Sequence, residues 1–174
     1  MDDTVKSDDD RIGFLTTFSP ADNVFLGGLL ITNSLGRPLE FQCTAPVEPN
    51  ATQTLLYGPT LKPYVLNDLI GKTLLERVSL SPRVVLVDAR DMLPLRKLIR
   101  QPLGCVCDGG QPGGMKVGRN VLVCHPEFAD DKAAIERACA EIPADADVAE
   151  PFERVRAALR EAFQTPANAT RGAA

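Results

Sequence analysis

An α/β fold in a single domain is predicted, with a mixed sheet of about five strands covered by helices. Three observations carry this. A β-hairpin is written between Val24 and Cys43, two short apolar runs flank a compact helical segment between Arg83 and Cys107, and helical periodicity returns near the C-terminus. The chain has 174 residues, 44% apolar and 24% charged. That suffices for one core and places the protein outside the class of charge-rich disordered chains.

The first ten residues hold Asp2, Asp3, Asp8, Asp9 and Asp10 against Lys6. Such a segment repels itself and has little apolar surface to bury, so residues 1–11 are expected to form a disordered acidic tail. Residues 12–163 form the domain. Residues 164–174, small, polar and interrupted by Pro166, are expected to be a second disordered tail.

Val24 to Thr32 is a β-rich run that reaches the turn formers Asn33-Ser34-Leu35-Gly36 and resumes as Arg37 to Cys43. Leu39, Phe41 and Cys43 alternate with Pro38, Glu40 and Gln42, so the second arm has one inward and one outward face. Gly27-Gly28 marks a bulge or a close approach by another backbone. After Pro46 and Pro49, Thr52 to Tyr57 and Leu61 to Val78 carry helical spacing, broken into segments by Gly58-Pro59, Pro63 and Gly71.

The unbroken apolar run Val84-Val85-Leu86-Val87 before Asp88 has the pattern of a strand covered on both faces. Asp91 is placed to cap a helix from Met92 to Arg100, and Leu103 to Cys107 reads as the next strand. Together these make a right-handed βαβ unit with parallel strands. The glycine-rich stretch 108–119 reads as a mobile loop without regular structure. A last strand, Asn120 to Cys124, leads to a helix from Asp130 to Ile142. A final helix from Val148 to Phe163 places Phe152, Val155, Leu159 and Phe163 on one stripe, with Arg156 outside it.

In sheets with parallel strands, ligands favour the crevice beyond the carboxyl ends. Asp88, Arg90, Asp91 and Asp108 belong to that edge, under the glycine loop, and carboxylates beside an arginine suit a polar substrate or a hard cation. Cys105, Cys107, Cys124 and His125 include both of zinc's favoured ligand types. Their spacing argues against a site, because Cys105 and Cys107 share a strand and Cys124 and His125 are adjacent. A cysteine–histidine catalytic pair fails for a related reason: the chain has one histidine, and it adjoins Cys124. Gly109 and Gly114 have P-loop spacing, but Met115 precedes Lys116, Val117 stands where Ser or Thr belongs, and a strand follows where a helix must open. No metal and no cofactor is expected.

The hairpin from Gly27 through Gly36 to Phe41 resembles the strand, turn and strand that open roadblock and longin modules. That resemblance implies a non-catalytic platform for protein partners. The chain as a whole resembles an uncharacterised bacterial protein family. The net charge of -4 and the lack of interleaved aromatics among the basic residues of Arg83 to Arg100 argue against nucleic acid. No apolar run spans a membrane and no secretory leader opens the chain. The function expected is therefore a cytoplasmic, non-catalytic protein-interaction or accessory module with a protein partner or self-association. The alternative is a small ligand-binding domain or enzyme using Asp88, Arg90, Asp91 and Asp108.

Overall fold

The computed structural model describes residues 11–107 and 112–164. Seven strands form one mixed sheet: β1 (Ile12–Phe18), β2 (Leu26–Thr32), β3 (Pro38–Cys43), β4 (Val84–Val87), β5 (Leu103–Cys107), β6 (Met115–Val117) and β7 (Asn120–Cys124), in the order β3-β2-β1-β4-β5-β7-β6. The α/β class is as predicted, with two more strands. The hairpin and the parallel β4–β5 pair both form. β1, which the sequence reading passes over, lies between them, antiparallel to β2 and parallel to β4.

β6 corrects the expectation that 108–119 holds no regular structure. Met115 and Val117 are buried on either side of exposed Lys116, enough alternation for a short edge strand against β7. The rest of that expectation falls on 108–111, outside the described residues. The two expected tails also lie outside them, apart from Arg11, whose carbonyl accepts from the Arg83 amide, and Gln164, the last residue of the final helix.

A contiguous helical run covers one face of the sheet. It comprises α1 (Ala51–Tyr57), a 3-10 turn at Gly58–Thr60, α2 (Leu61–Pro63), a π-helical stretch at Tyr64–Lys72 and α3 (Thr73–Arg77). Asn50 opens it with a capping box, its side chain accepting from the Gln53 amide while Gln53 accepts from the Asn50 amide. Pro59 and Pro63 change the helical pitch without ending the run. Each sits near the start of a new segment, where a missing N–H costs little.

The segment after β4 is a 3-10 helix, Arg90–Lys97, with Pro94 inside it. Its cap is Ala89, so the capping role expected for Asp91 does not occur. Val65, Ile70, Leu74, Met92 and Leu95 pack here against Leu15, Leu29, Val85, Val87 and Leu103. The other face is covered by α4 (Asp131–Ala138) and α5 (Glu150–Gln164). Ile135 and Phe152 meet Ile12, Phe14, Val84, Leu86 and Leu122, while Val155 and Leu159 meet Leu26 and Leu30.

The predicted stripe on α5 is buried at Phe152, Val155 and Leu159, but Phe163 is 46% exposed, beyond the sheet's reach. The two glycines of β2 are explained by helix docking. A Cβ at Gly28 would stand 2.6 Å from Val155 Cγ1, and one at Gly27 would collide with Ile70 from the opposite face. The irregularity in the β2–β3 ladder lies instead between Ile31 and Thr32. Arg96 joins the layers by a bidentate ion pair to buried Asp131, whose carboxylate also accepts from the Leu103 amide.

Candidate functional site

β1 and β4 run side by side with Leu15 opposite Val87, so the next residues, Thr16 and Asp88, emerge together at the carboxyl end of the two strands. Alternation along both strands gives each the same face as Phe14 and Leu86, the face covered by α5. Thr16 is buried, and its Oγ1 donates to Asp88 Oδ1 at 2.8 Å. From α5, Arg156 Nη2 donates to Asp88 Oδ2, and Arg156 Nη1 donates to Glu153 Oε1 at 2.8 Å.

The guanidinium thus bridges two carboxylates. The side chains of Asp88 and Arg156 are 15% and 25% exposed, whereas Glu153 is largely in solvent. Burial, then the charge of Arg160, lowers the Arg156 pKa from its ordinary value. Arg160 lies one turn further along α5, exposed, with its guanidinium 5.2 Å from the Phe18 ring at the end of β1. The edge therefore presents Arg156 and Arg160 above a carboxylate already held by two donors.

Of the four residues expected at this edge, Asp88 alone enters this constellation. Arg90 follows it and is exposed at the start of the 3-10 helix. Asp91 turns to the other side of the sheet, where its carboxylate pairs with Lys62 at 3.2 Å and its carbonyl accepts from Asn67. Asp108 lies outside the described residues. Thr16 and Arg156 are the residues sequence reasoning missed. The run Ile12 to Phe18, rich in β-branched and aromatic residues, carries a usable strand signal for the first. Nothing local marks the second, whose position beside the apolar stripe reads as solvent-facing.

The thiols and histidine lie elsewhere. Burial is the main cause pushing the Cys105 thiol up to about 12, with Cys107 adding to it, and burial raises Cys124 and Cys139 to about 11. His125 Nδ1 accepts from the Glu127 amide, and its ring stands edge-on to Phe128. Among the described residues, no three His, Cys, Asp or Glu side chains converge as a cation site. An apolar cleft of about 220 Å³, lined by Ile12, Phe14, Leu35, Val148 and Pro151, lies toward the opposite end of β1, away from Asp88.

Paired divalent cations in catalytic sites are held by hard oxygen donors from several carboxylates, which neutralise their charge. The residues at this edge do not fit that arrangement. Thr16, an uncharged side chain, occupies the position beside Asp88. Both Asp88 oxygens are already engaged, and the group between Asp88 and Glu153 is itself a cation.

No protein-family model and no curated protein matches the sequence. Solved structures do match. A Ciona intestinalis endonuclease V variant, in complex with a 23mer DNA containing an inosine followed by a ribo-adenosine, is 14% identical with a TM-score of 0.50, covering 87% of this chain and 86% of that one. The catalytic domain of human endonuclease V is 15% identical with a TM-score of 0.46, covering 90% of this chain and 85% of its own.

The first of these matches corrects the expectation of a non-catalytic protein-interaction or accessory module with a protein partner or self-association and no nucleic acid. That reading rested on the hairpin and on whole-chain charge. The hairpin is the outer part of a seven-stranded sheet whose fold is shared with a DNA-bound nuclease. The net charge was a poor guide as well, because the ten N-terminal residues alone sum to -4 and the remainder of the chain is neutral. No helix among the described residues is long and apolar enough to cross a membrane.

Proposed function

We propose that this chain binds nucleic acid and holds the sugar-phosphate backbone at the carboxyl end of β1 and β4. The observation that carries this reading is the placement of Arg156 on Asp88, with Arg160 one turn further along α5 over Phe18, on a fold shared, over 87% of the chain, with an endonuclease V in complex with DNA. Arginine suits this task because its planar fork offers several donors to phosphate oxygens. Arg156 spends one donor on each carboxylate, leaving Nε and the remaining N–H groups for a ligand. Arg160, one turn after Arg156 on α5, and Arg90, two residues after Asp88, add exposed positive charge. The ligand-binding alternative read from the sequence is thereby favoured, with Asp88 kept, Asp91 removed and Arg156 added.

Fluorescence anisotropy with a labelled 23mer DNA, with and without an inosine, tests the proposal. Saturable binding at low salt that weakens in Arg160→Ala supports it. Absence of binding to single-stranded and duplex probes alike would remove it. Gel analysis of the same mixtures reports any strand cleavage.

A further inference from the structure

We infer that the Arg156 guanidinium takes the space between Asp88 and Glu153 that a divalent cation would need, so that this edge engages phosphate without a metal ion. The inference rests on the proposed nucleic-acid reading for its ligand, but the cation question stands on geometry alone. The guanidinium lies between Asp88 and Glu153 and donates to both, the bridging position a cation would need. The Asp88 oxygen it leaves free is taken by the Thr16 hydroxyl at 2.8 Å. Thr16 is buried and fixed by the β1–β4 register, so that donor cannot swing away as a surface side chain would.

Charge points the same way. A divalent ion entering here would meet the Arg156 guanidinium, a cation by its chemistry, with Arg160 one turn further along the helix. Displacing Arg156 would strip a half-buried guanidinium of its partners, and the ion would gain one strand-borne carboxylate in return. Hard cations are held by carboxylate oxygens free to coordinate them, completed by waters or phosphate, and here both oxygens of the one strand-borne carboxylate are engaged by donors. A phosphate oxygen, in contrast, meets donors already held in place by the two carboxylates, which orient the guanidinium as outer-shell carboxylates orient a metal ligand.

Electron paramagnetic resonance of Mn²⁺ added to the parent, to Asp88→Asn and to a Thr16→Asp/Arg156→Ala double variant tests the inference. The parent is expected to leave the free-ion spectrum unchanged at millimolar Mn²⁺, and its oligonucleotide affinity is expected to be the same with and without chelator. The double variant, with two adjacent carboxylates and no guanidinium, is expected to bind the ion. Stoichiometric Mn²⁺ binding by the parent that disappears in Asp88→Asn would overturn the inference, as would chelator-sensitive oligonucleotide binding. A folded double variant that takes up no Mn²⁺ also counts against it. Should the double variant fail to fold, the parent and Asp88→Asn still decide the matter. A parent that binds neither Mn²⁺ nor oligonucleotide would refute the proposed function while leaving the cation assignment standing.

Discussion

Replacing Leu159 by alanine tests whether α5 is part of the core, and the site depends on that docking because Arg156 rides on the same helix. Leu159 is 1% exposed and packs with Val155 against Leu26 and Leu30. It sits over Gly28, where a Cβ would come within 3.2 Å of a Leu159 methyl. The substitution removes three carbons, about 2.4 kcal/mol of transfer free energy at roughly 0.8 kcal/mol each. A cavity contribution adds to this, because the sheet beneath is held by ladders on both sides of β2 and cannot collapse into the gap. The total is about 3–4 kcal/mol. For a chain of this size each kcal/mol moves the midpoint about 2–4 °C, so thermal melts should fall by about 6–16 °C. Urea melts should show a lower midpoint at unchanged slope. Ala157→Ser, on the exposed side of the helix, is the control, expected to cost about half a kcal/mol. A Leu159→Ala protein within about 1 kcal/mol of the parent would refute the docking of α5.

Arg156→Ala should destabilise by about 1–3 kcal/mol in urea melts, because it leaves the poorly exposed Asp88 carboxylate without its cation and held by the Thr16 hydroxyl. Combining it with Asp88→Asn should recover part of the loss. Glu40 accepts from the amides of Ser79 and Leu80, and these bonds lower its pKa below the ordinary 4.5. A depressed folded value contributes stability above the unfolded pKa and loses it as pH falls, so melts at about pH 6 and about pH 3.5 should differ less in Glu40→Gln than in the parent. Cys105 and Cys139 should resist thiol reagents in the native protein at neutral pH, since burial holds both thiols protonated. Mass spectrometry after alkylation reads this, and rapid labelling of either would contradict their burial.

The hairpin, the parallel β4–β5 pair and the stripe on α5 are legible in the sequence because each is a local pattern of apolar residues. β1 is harder. Gly13, Thr16 and Thr17 dilute its apolar signal, and it follows an acidic segment, although its neighbours bury it on both sides. β6 hides in a glycine-rich stretch, and Pro94 turns what reads as an α-helix after β4 into a 3-10 helix. At the site, Asp88 is legible as a polar residue ending a buried strand. Its partners are not, since Thr16 is 72 residues and Arg156 68 residues away. Both contacts arise from sheet register and helix docking, which no short window of sequence contains. Asp91 shows the converse: three residues from Asp88 in sequence, it belongs to the opposite face.

Whether Arg156 and Arg160 contact phosphate is read from the salt dependence of oligonucleotide affinity. Log affinity of the parent is measured against log salt concentration by anisotropy, beside Arg156→Ala and Arg160→Ala proteins whose folding has been verified. A linear fall is expected for the parent, with weaker binding in both variants and a slope reduced by about one for each arginine that contacts phosphate. Parent affinity and slope that neither substitution changes would contradict the assignment of this edge as the nucleic-acid site.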